Sequence, residues 1–361
     1  MPEPLKNLYN TDLIARLCGI LLSHHAKFNT KDFTQSVFDQ TWEDKELKQR
    51  MAHISVCLHD YLPPEYPQAI EILKKISVEL EGFEYMFFPG FVELYGLDDY
   101  QTSIDALEHF TQYSSSEFAV RPFILKYRTR MIDQLKVWAK SSNHHVRRLA
   151  SEGSRPRLPW ARALAIFKQE PLPILPILEM LKNDESQYVR RSVANNLNDI
   201  SKDNPDVVIQ IAKNWLGDNQ NTNWIVKHAC RTMLKKGDPE VMSIFGFVKP
   251  NHLKVIDFRV QDSVIEGGKL NFSFKIQALE GELDKLRIEY AIDYLKKNGE
   301  LSRKIFQISE SLNTGQEKSI NKSHSFRRVS TRVHYLGTHG IAVICNGVEL
   351  AQKKFTLQPV T

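Results

Sequence analysis

A phrase built around Val-Arg-Arg recurs in this chain and constrains its fold more than any other feature. It occupies residues 143–150 (NHHVRRLA) and returns about forty residues later at 186–194 (SQYVRRSVA), with a weaker copy at 224–231 (WIVKHACR). Helical phrases that return at this spacing are typical of stacked repeats, in which each repeat packs only on its neighbours. The sequence therefore predicts an α-solenoid.

The repeated helices place polar residues in register. At about 100° per residue, the apolar residues of the second copy share one face, and Arg191, Asn195 and Asp199 form a polar stripe opposite them. In the first copy, Arg148 and Glu152 take the corresponding positions. Successive stripes thus point in a similar direction. They are either solvated helix faces or a site that spans neighbouring repeats.

The charge of the chain is unevenly distributed. The 361 residues carry a net charge of +5, but residues 1–120 contain 9 Lys and Arg against 19 Asp and Glu, whereas residues 121–361 contain 39 against 24. The positive excess lies in the part that contains the repeats. Segregation of this kind favours a surface that binds a polyanion such as nucleic acid.

No pattern in the sequence predicts a cofactor, a metal or a membrane segment. The four cysteines, Cys18, Cys57, Cys230 and Cys345, are far apart and form no CxxC pair, which argues against a zinc site or a disulfide framework. No apolar run reaches the roughly 20 residues that span a bilayer, and the N-terminus has no signal-peptide pattern. We expect a cytosolic protein with reduced thiols and no bound metal or cofactor.

The periodicity changes near residues 249–251. Before them, apolar residues recur at helical spacing, and after them apolar and polar residues alternate with the period of β-strands. Seven or eight short strands separated by glycine-containing turns predict an immunoglobulin-like β-sandwich. We expect a helical domain over residues 1–248 and a β-sandwich over 249–361. The expected strands cover residues 255–260, 270–276, 286–292, 303–308, 317–324, 332–335, 340–345 and 348–357.

Two acidic residues stand in unusual surroundings. Glu152 is followed by a glycine that can end a helix and by a proline-stiffened segment with Arg155 and Arg157, which leads to Trp160. This grouping is either part of a site or a structural ion-pair network with Trp160 as a core anchor. Glu117 follows three serines and is either part of a site or a simple helix cap.

Three long phrases carry a resemblance to a known family. They cover residues 116–123 (SEFAVRPF), 146–160 (VRRLASEGSRPRLPW) and 189–199 (VRRSVANNLND), and residues 47–54 and 62–64 agree with them. With these phrases the chain resembles the HEAT-like repeat alkylpurine DNA glycosylases. Over essentially its whole length it resembles the AlkC branch of that family. The resemblance implies an α-solenoid of HEAT-like helical repeats followed by an immunoglobulin-like β-sandwich.

The resemblance also implies a DNA glycosylase of base excision repair. Members of this family remove bases that carry a positive charge from methylation, typically 3-methyladenine and, in this branch, 3-methylcytosine, without extracting them into a deep pocket. Such a base is already a good leaving group, so the enzyme has to stabilise the oxocarbenium-like deoxyribose and position a water molecule. Carboxylates aimed at the sugar can do both.

By the same resemblance, Glu117, Glu152 and Asp199 map onto the catalytic acids, and Trp160 maps onto the aromatic residue that packs against the sugar of the damaged nucleotide. We expect Glu152 and Asp199, on the polar stripes of neighbouring helices, to lie nearest the sugar and the water. Carboxylates that face DNA require cations that hold the phosphates. The expected DNA-binding residues are Arg147, Arg148, Arg155, Arg157, Arg190, Arg191, Lys227 and Arg231.

The expected partner is double-stranded DNA that contains alkylated bases, and we expect a monomer because one solenoid groove suffices. Two other functions stay open at this point. One is a non-catalytic nucleic-acid binder on the same scaffold, against which the presence of all three acids and Trp160 argues. The other is a protein-interaction solenoid whose acidic residues 1–120 form the docking face.

Overall fold

The chain divides into a helical unit and a unit that contains the strands. The computed structural model describes residues 3–328 and 333–360. One compact unit comprises Met1–Ala229 and the other comprises Cys230–Thr361. The predicted order of helices followed by strands is confirmed. The domain boundary after residue 248 stays a prediction, and the last two short helices cluster with the strands.

The described residues form sixteen α-helices and three short 3-10 helices. The 3-10 helices are Leu5–Leu8, Phe83–Tyr85 and Leu172–Ile174. The α-helices are α1 (Thr11–His24), α2 (Thr30–Val37), α3 (Leu47–Tyr61), α4 (Tyr66–Ser77), α5 (Phe87–Tyr95), α6 (Tyr100–Phe110), α7 (Val120–Lys126), α8 (Arg128–Trp138), α9 (His144–Gly153), α10 (Ala165–Gln169), α11 (Leu175–Met180), α12 (Gln187–Ile200), α13 (Pro205–Trp215), α14 (Gln220–Ala229), α15 (Arg231–Lys236) and α16 (Pro239–Ile244).

The three copies of the recurring phrase stack as predicted. They form α9, α12 and α14, and α12 packs against both of the others. The apolar face predicted for α12 is confirmed, since Val189, Val193, Leu197 and Ile200 are completely buried. Tertiary packing of this face, more than intrinsic helix propensity, stabilises the repeats.

Buried polar bonds fix the register of α9 on α12. The side-chain amide of Asn196 donates to the carbonyl oxygen of Ser151 at 2.8 Å and to Ser154 Oγ at 3.2 Å. Ser192 Oγ donates to Ser151 Oγ at 3.0 Å. A slip of one helix along the other would leave these buried groups without partners, which is costly. The relative positions of residues 152 and 199 therefore follow from this register.

The predicted β-sandwich is confirmed in the second unit. Its strands form two sheets, ordered β1-β3-β6 and β2-β8-β7-β4-β5, and a cluster of buried apolar side chains from both sheets forms the core. The strands that the structure describes are β1 (Leu253–Val260), β2 (Ser263–Ile265), β3 (Lys269–Ala278), β4 (Asp284–Leu295), β5 (Leu301–Asn313), β6 (Glu317–Ser325), β7 (Gly337–Cys345) and β8 (Val348–Gln358).

Two strand assignments differ from the prediction. The short strand β2 was not predicted, because three residues are too few to show alternation, and it pairs in parallel with β8. The strand expected at residues 332–335 begins outside the described residues, and residues 333–335 are not in a strand.

Across residues 3–328 and 333–360, no helix is both long enough and apolar enough to cross a bilayer. The same residues contain no group of three or more His, Cys, Asp or Glu side chains arranged to hold a metal ion. The four cysteines are buried and form no disulfide.

Candidate active site

The side chain of Arg155 joins two of the predicted acids. Its Nη1 donates to Glu152 Oε1 at 2.7 Å, and its Nε donates to Asp199 Oδ2 at 2.9 Å. Glu152 lies in the last turn of α9 and Asp199 in the last turn of α12. The stacking of the two helices therefore brings both carboxylates to one guanidinium. All three side chains are buried, with 6% of Glu152, 2% of Asp199 and 7% of Arg155 exposed.

This burial differs from the outward stripe that the helical period predicted. Along α12, Arg191 is exposed, Asn195 is half-buried and Asp199 is buried. The cause is the segment after α9, which turns back so that Arg155 lies against Asp199. The end of the stripe is thus an enclosed ion pair and not a solvated helix face.

Glu117 joins the same network through Arg148. Arg148 Nη2 lies 2.7 Å from Glu117 Oε2 and 3.6 Å from Glu152 Oε1. At the other end, Lys202 Nζ donates to Asp199 Oδ1 at 3.0 Å. Acids and bases therefore alternate along one continuous series of contacts. We call this series the alternating cluster: Glu117, Arg148, Glu152, Arg155, Asp199 and Lys202.

The alternation explains how the charges of Glu152, Arg155 and Asp199 are buried together. A buried carboxylate without a partner is strongly unfavourable, and each acid here contacts at least one cation. Burial alone would lower the pKa of Arg155, but Glu152 and Asp199 outweigh burial and hold that pKa above its usual value. Burial likewise opposes the charge of Arg148, and Glu152 and Glu117 raise its pKa. The arginines are therefore permanent cations that hold the acids in place.

Two carboxylate oxygens of the cluster accept no hydrogen bond from the residues that the structure describes. Glu152 accepts from Arg155 through Oε1, and Glu117 accepts from Ser115 Oγ at 3.0 Å and pairs with Arg148 through Oε2. Among the described residues, none donates a hydrogen bond to Glu152 Oε2 or Glu117 Oε1. These two oxygens are the ones available to a water molecule or a ligand.

The interpretation of Glu117 as a helix cap is wrong. Helix α7 begins after Ala119, and no side chain caps it. Glu117 instead lies in the turn before the helix, where its side chain reaches Arg148.

Trp160 is not the core anchor that the alternative interpretation required. Its side chain is 62% exposed, and its backbone has a φ of 63°, in the left-handed region that bulky residues rarely adopt. Lys48 Nζ donates to the Trp160 carbonyl oxygen at 2.9 Å and stabilises this conformation. Residues held in such sparsely populated backbone conformations cluster at functional sites.

Arg121 was not among the predicted site residues, yet it organises the segment that carries Arg155 and Trp160. Its Nε donates to the carbonyl of Arg162 at 2.8 Å, and its Nη1 donates to the carbonyls of Gly153 and Arg155 at 3.0 and 2.9 Å. Burial, followed by repulsion from Arg155, lowers the pKa of Arg121 to about 10. The phrase at residues 116–123 contains Arg121, but its partners lie too far along the chain for sequence spacing to reveal them.

Several of the predicted DNA-binding arginines are engaged within the protein. Arg147 Nε donates to Asp184 Oδ2 at 2.6 Å and Nη2 donates to Oδ1 at 3.0 Å. Arg190 Nη1 donates to the carbonyls of Asp184 and Glu185. Together with Arg148 and Arg155, these side chains hold neighbouring helices and the acids.

Others of the predicted DNA-binding residues face outward. Arg157 is paired with Asp203 at 2.6 Å, with 36% of its side chain exposed. Arg191 is exposed and makes no hydrogen bond or ion pair with a described residue. Lys227 is exposed on α14, and Arg231 is half-buried at the start of α15. The DNA contacts of all eight residues stay predictions.

Comparison with known proteins identifies relatives of both units. A family model for DNA alkylation repair enzymes matches residues 100–233, and the model of the C-terminal Ig-like domain of the uncharacterised protein YhaZ matches residues 254–359. The uncharacterized protein YhaZ of Bacillus subtilis (strain 168) is 45% identical over 345 residues, which cover 95% of this chain and 96% of YhaZ.

A solved structure matches the whole chain. The alkylpurine DNA glycosylase AlkC of Pseudomonas fluorescens, bound to DNA containing an abasic site analog, is similar with a TM-score of 0.95 and 35% identity. The match covers 99% of this chain and 100% of that one. The helical-repeat fold and the Ig-like domain predicted from the sequence are thereby confirmed.

Removal of Arg155 should destabilise the chain because it leaves two buried carboxylates without their shared partner. We expect Arg155→Met to lower the free energy of unfolding by about 3–5 kcal/mol. The matched control Arg157→Met, which breaks the more exposed pair with Asp203, should cost about 0–1 kcal/mol. Urea denaturation followed by circular dichroism measures both. Equal losses of unfolding free energy in the two variants would show that the buried bridge stabilises the chain no more than the exposed pair does.

Removal of the exposed Trp160 ring should not destabilise the chain, because glycine adopts a positive φ without strain. We expect Trp160→Gly to leave the free energy of unfolding unchanged or to raise it by up to about 1 kcal/mol. The control Trp138→Gly removes a tryptophan that is 1% exposed and should cost at least about 3 kcal/mol. A similar loss in both variants, in the same denaturation experiment, would mean that Trp160 packs in the core.

Proposed function

Because the chain belongs to the AlkC family of alkylpurine DNA glycosylases, we propose that it excises alkylated bases from double-stranded DNA as the first step of base excision repair. The proposed substrates are bases with a positive charge from methylation, namely 3-methyladenine and 3-methylcytosine. When the bond between C1′ and the base breaks, its electron pair neutralises the base, and the positive charge passes to the deoxyribose. The enzyme therefore has to act on the sugar.

The two buried carboxylates that share Arg155 carry this proposal. Their positions are fixed by the ion pairs before any substrate binds, and fixed charges of this kind stabilise a developing cation without reorganisation. Asp199 has both oxygens engaged, by Arg155 and Lys202, and acts by its charge. Glu152 has Oε2 available, which we assign to the attacking water. The water adds hydroxide to C1′ and passes its proton to Glu152.

Glu117 and Trp160 complete the proposed site. Glu117 Oε1 accepts no hydrogen bond from a described residue, and the carboxylate adds negative charge near the sugar. The exposed ring of Trp160 is available to pack against the deoxyribose of the damaged nucleotide and to exclude bulk water from it.

The outward-facing cations are the better candidates for phosphate contacts. Arg147 and Arg155 are buried and Arg148 and Arg190 are half-buried, and all four bond protein groups, so we assign them to support of the helices and the acids. We assign contacts to DNA phosphates to the more exposed residues of the predicted set, which are Arg191, Lys227 and the partly exposed Arg157. Acidic residues repel the phosphates of DNA. In this division one set of cations pairs with the acids, and a second set contacts the phosphates.

Loss of either carboxylate should slow base release and leave DNA binding intact. For Glu152→Gln and Asp199→Asn we expect single-turnover release of 3-methyladenine from methylated duplex DNA to fall by about 10²–10³-fold. The control Asp206→Asn changes an exposed acid of α13 and should keep the wild-type rate. DNA affinity, measured by fluorescence anisotropy, should stay within a few-fold of wild type.

Three outcomes would overturn parts of this assignment. Unchanged release in both variants would remove the acids from the mechanism. DNA binding by the wild type without any base release would identify a non-catalytic binder. Failure to bind DNA at all would favour a protein-interaction solenoid.

The exposed arginine of α12 should contribute to DNA affinity through counterion release. We expect Arg191→Gln to reduce the slope of log affinity against log salt by about 1. The control Arg128→Gln removes an exposed arginine of α8 outside the predicted set and should leave the slope unchanged. Anisotropy titrations with one duplex at several salt concentrations measure both. Identical slopes for Arg191→Gln and wild type would exclude a phosphate contact by Arg191.

A further inference from the structure

A small cavity lies beside the proposed active site, among α3, α5 and the turn before α7. Its volume is about 190 Å³, below the roughly 300–1,000 Å³ of sites for drug-sized ligands, so it accepts only a small molecule. Much of its lining is apolar and polarisable, including Met51, Met86, Leu94 and Phe118. Methionine and aromatic side chains pack well on the faces of planar rings.

One acid and one base interrupt this apolar lining. Glu93 is half-buried and makes no hydrogen bond with a described residue. Burial raises the pKa of Glu93, and nearby Lys48 partly opposes that shift. Lys48 Nζ lies 4.8 Å from the centre of the Phe118 ring and donates to the Trp160 carbonyl. Glu93 and Lys48 thus give the cavity a charged acceptor and a charged donor whose charges cancel.

The cavity shares a wall with the alternating cluster. Ser115 lines the cavity, and its hydroxyl donates to Glu117 Oε2 at 3.0 Å. Arg148 Nη1 donates to the same hydroxyl at 3.3 Å. Lys48 connects the cavity to the segment that carries Trp160. A molecule in the cavity is therefore next to the place where the proposed reaction frees a base.

We propose that this cavity binds the excised base after the glycosidic bond has broken, an inference that rests on the proposed function. Bond cleavage leaves the electron pair on the base, so the cationic methylated base departs as a neutral, planar ring. Free 3-methyladenine presents an exocyclic amino group beside an unmethylated ring nitrogen. Glu93 accepts from the amino group, and Lys48 donates to the ring nitrogen. The free base is neutral and carries a donor beside an acceptor. It therefore complements a cavity in which the charges of Glu93 and Lys48 cancel.

Binding of the free base without DNA tests this inference separately from catalysis. We expect full-length wild type to bind 3-methyladenine saturably in isothermal titration calorimetry. Glu93→Gln should weaken that binding roughly tenfold or more, because it removes a charged acceptor from a partly buried site. Ala52→Leu places a larger side chain at the exposed rim of the cavity and should weaken binding similarly. The control Glu71→Gln alters an exposed acid of α4 and should bind like wild type.

The outcomes separate this proposal from the proposed function. No saturable binding by wild type up to the solubility limit of the base, or unchanged affinity in both Glu93→Gln and Ala52→Leu, overturns the cavity assignment. If wild type still releases base from methylated DNA, the glycosylase function stands without it. If base release is absent but binding depends on Glu93 and Ala52, the glycosylase function fails and the cavity remains a site for a free nucleobase.

Discussion

The bridge from Glu152 through Arg155 to Asp199 is the interaction on which the proposed site depends. Two carboxylates buried at the ends of neighbouring helices would repel each other and resist burial without a shared cation. Arg155 satisfies both with separate nitrogens, at 2.7 and 2.9 Å. The helical repeat stacks α9 on α12, but in its alignment Glu152 corresponds to Asn195, and Asp199 lies four residues further along α12. Arg155, three residues after Glu152, spans this offset. In the proposed mechanism, the two carboxylates that pair with Arg155 for stability are the same ones that act on the sugar.

The segment that follows α9 supplies this arrangement and is held from two directions. Arg121 donates to the carbonyl oxygens of Arg155 and Arg162 in this segment and to that of Gly153 at the end of α9. Lys48, far away in sequence, donates to the carbonyl of Trp160 near its exposed tip. These bonds stabilise a backbone conformation that Trp160 would otherwise avoid. The ring is therefore kept exposed, as the proposed contact with the sugar of a bound nucleotide requires.

Periodicity predicted the architecture of this chain but not the interior of its candidate site. The apolar face of α12 and seven of the eight strands follow from local spacing, and the resemblance supplied Glu117, Glu152, Asp199 and Trp160. Helical geometry alone gave Asp199 an outward position, because it carries no information about a distant segment that folds back. For the same reason, the inward role of Arg155 and the contributions of Arg121 and Lys48 were not predictable. Each depends on partners that only tertiary structure brings together.

A double-mutant cycle on the chemical step tests the central claim most directly. Single-turnover release of 3-methyladenine would be measured for wild type, Glu152→Gln, Asp199→Asn and the double variant. If the two acids act as one unit on Arg155, the double variant should be little slower than the slower single variant. Rate losses that multiply would show that the carboxylates act independently and would contradict the claim.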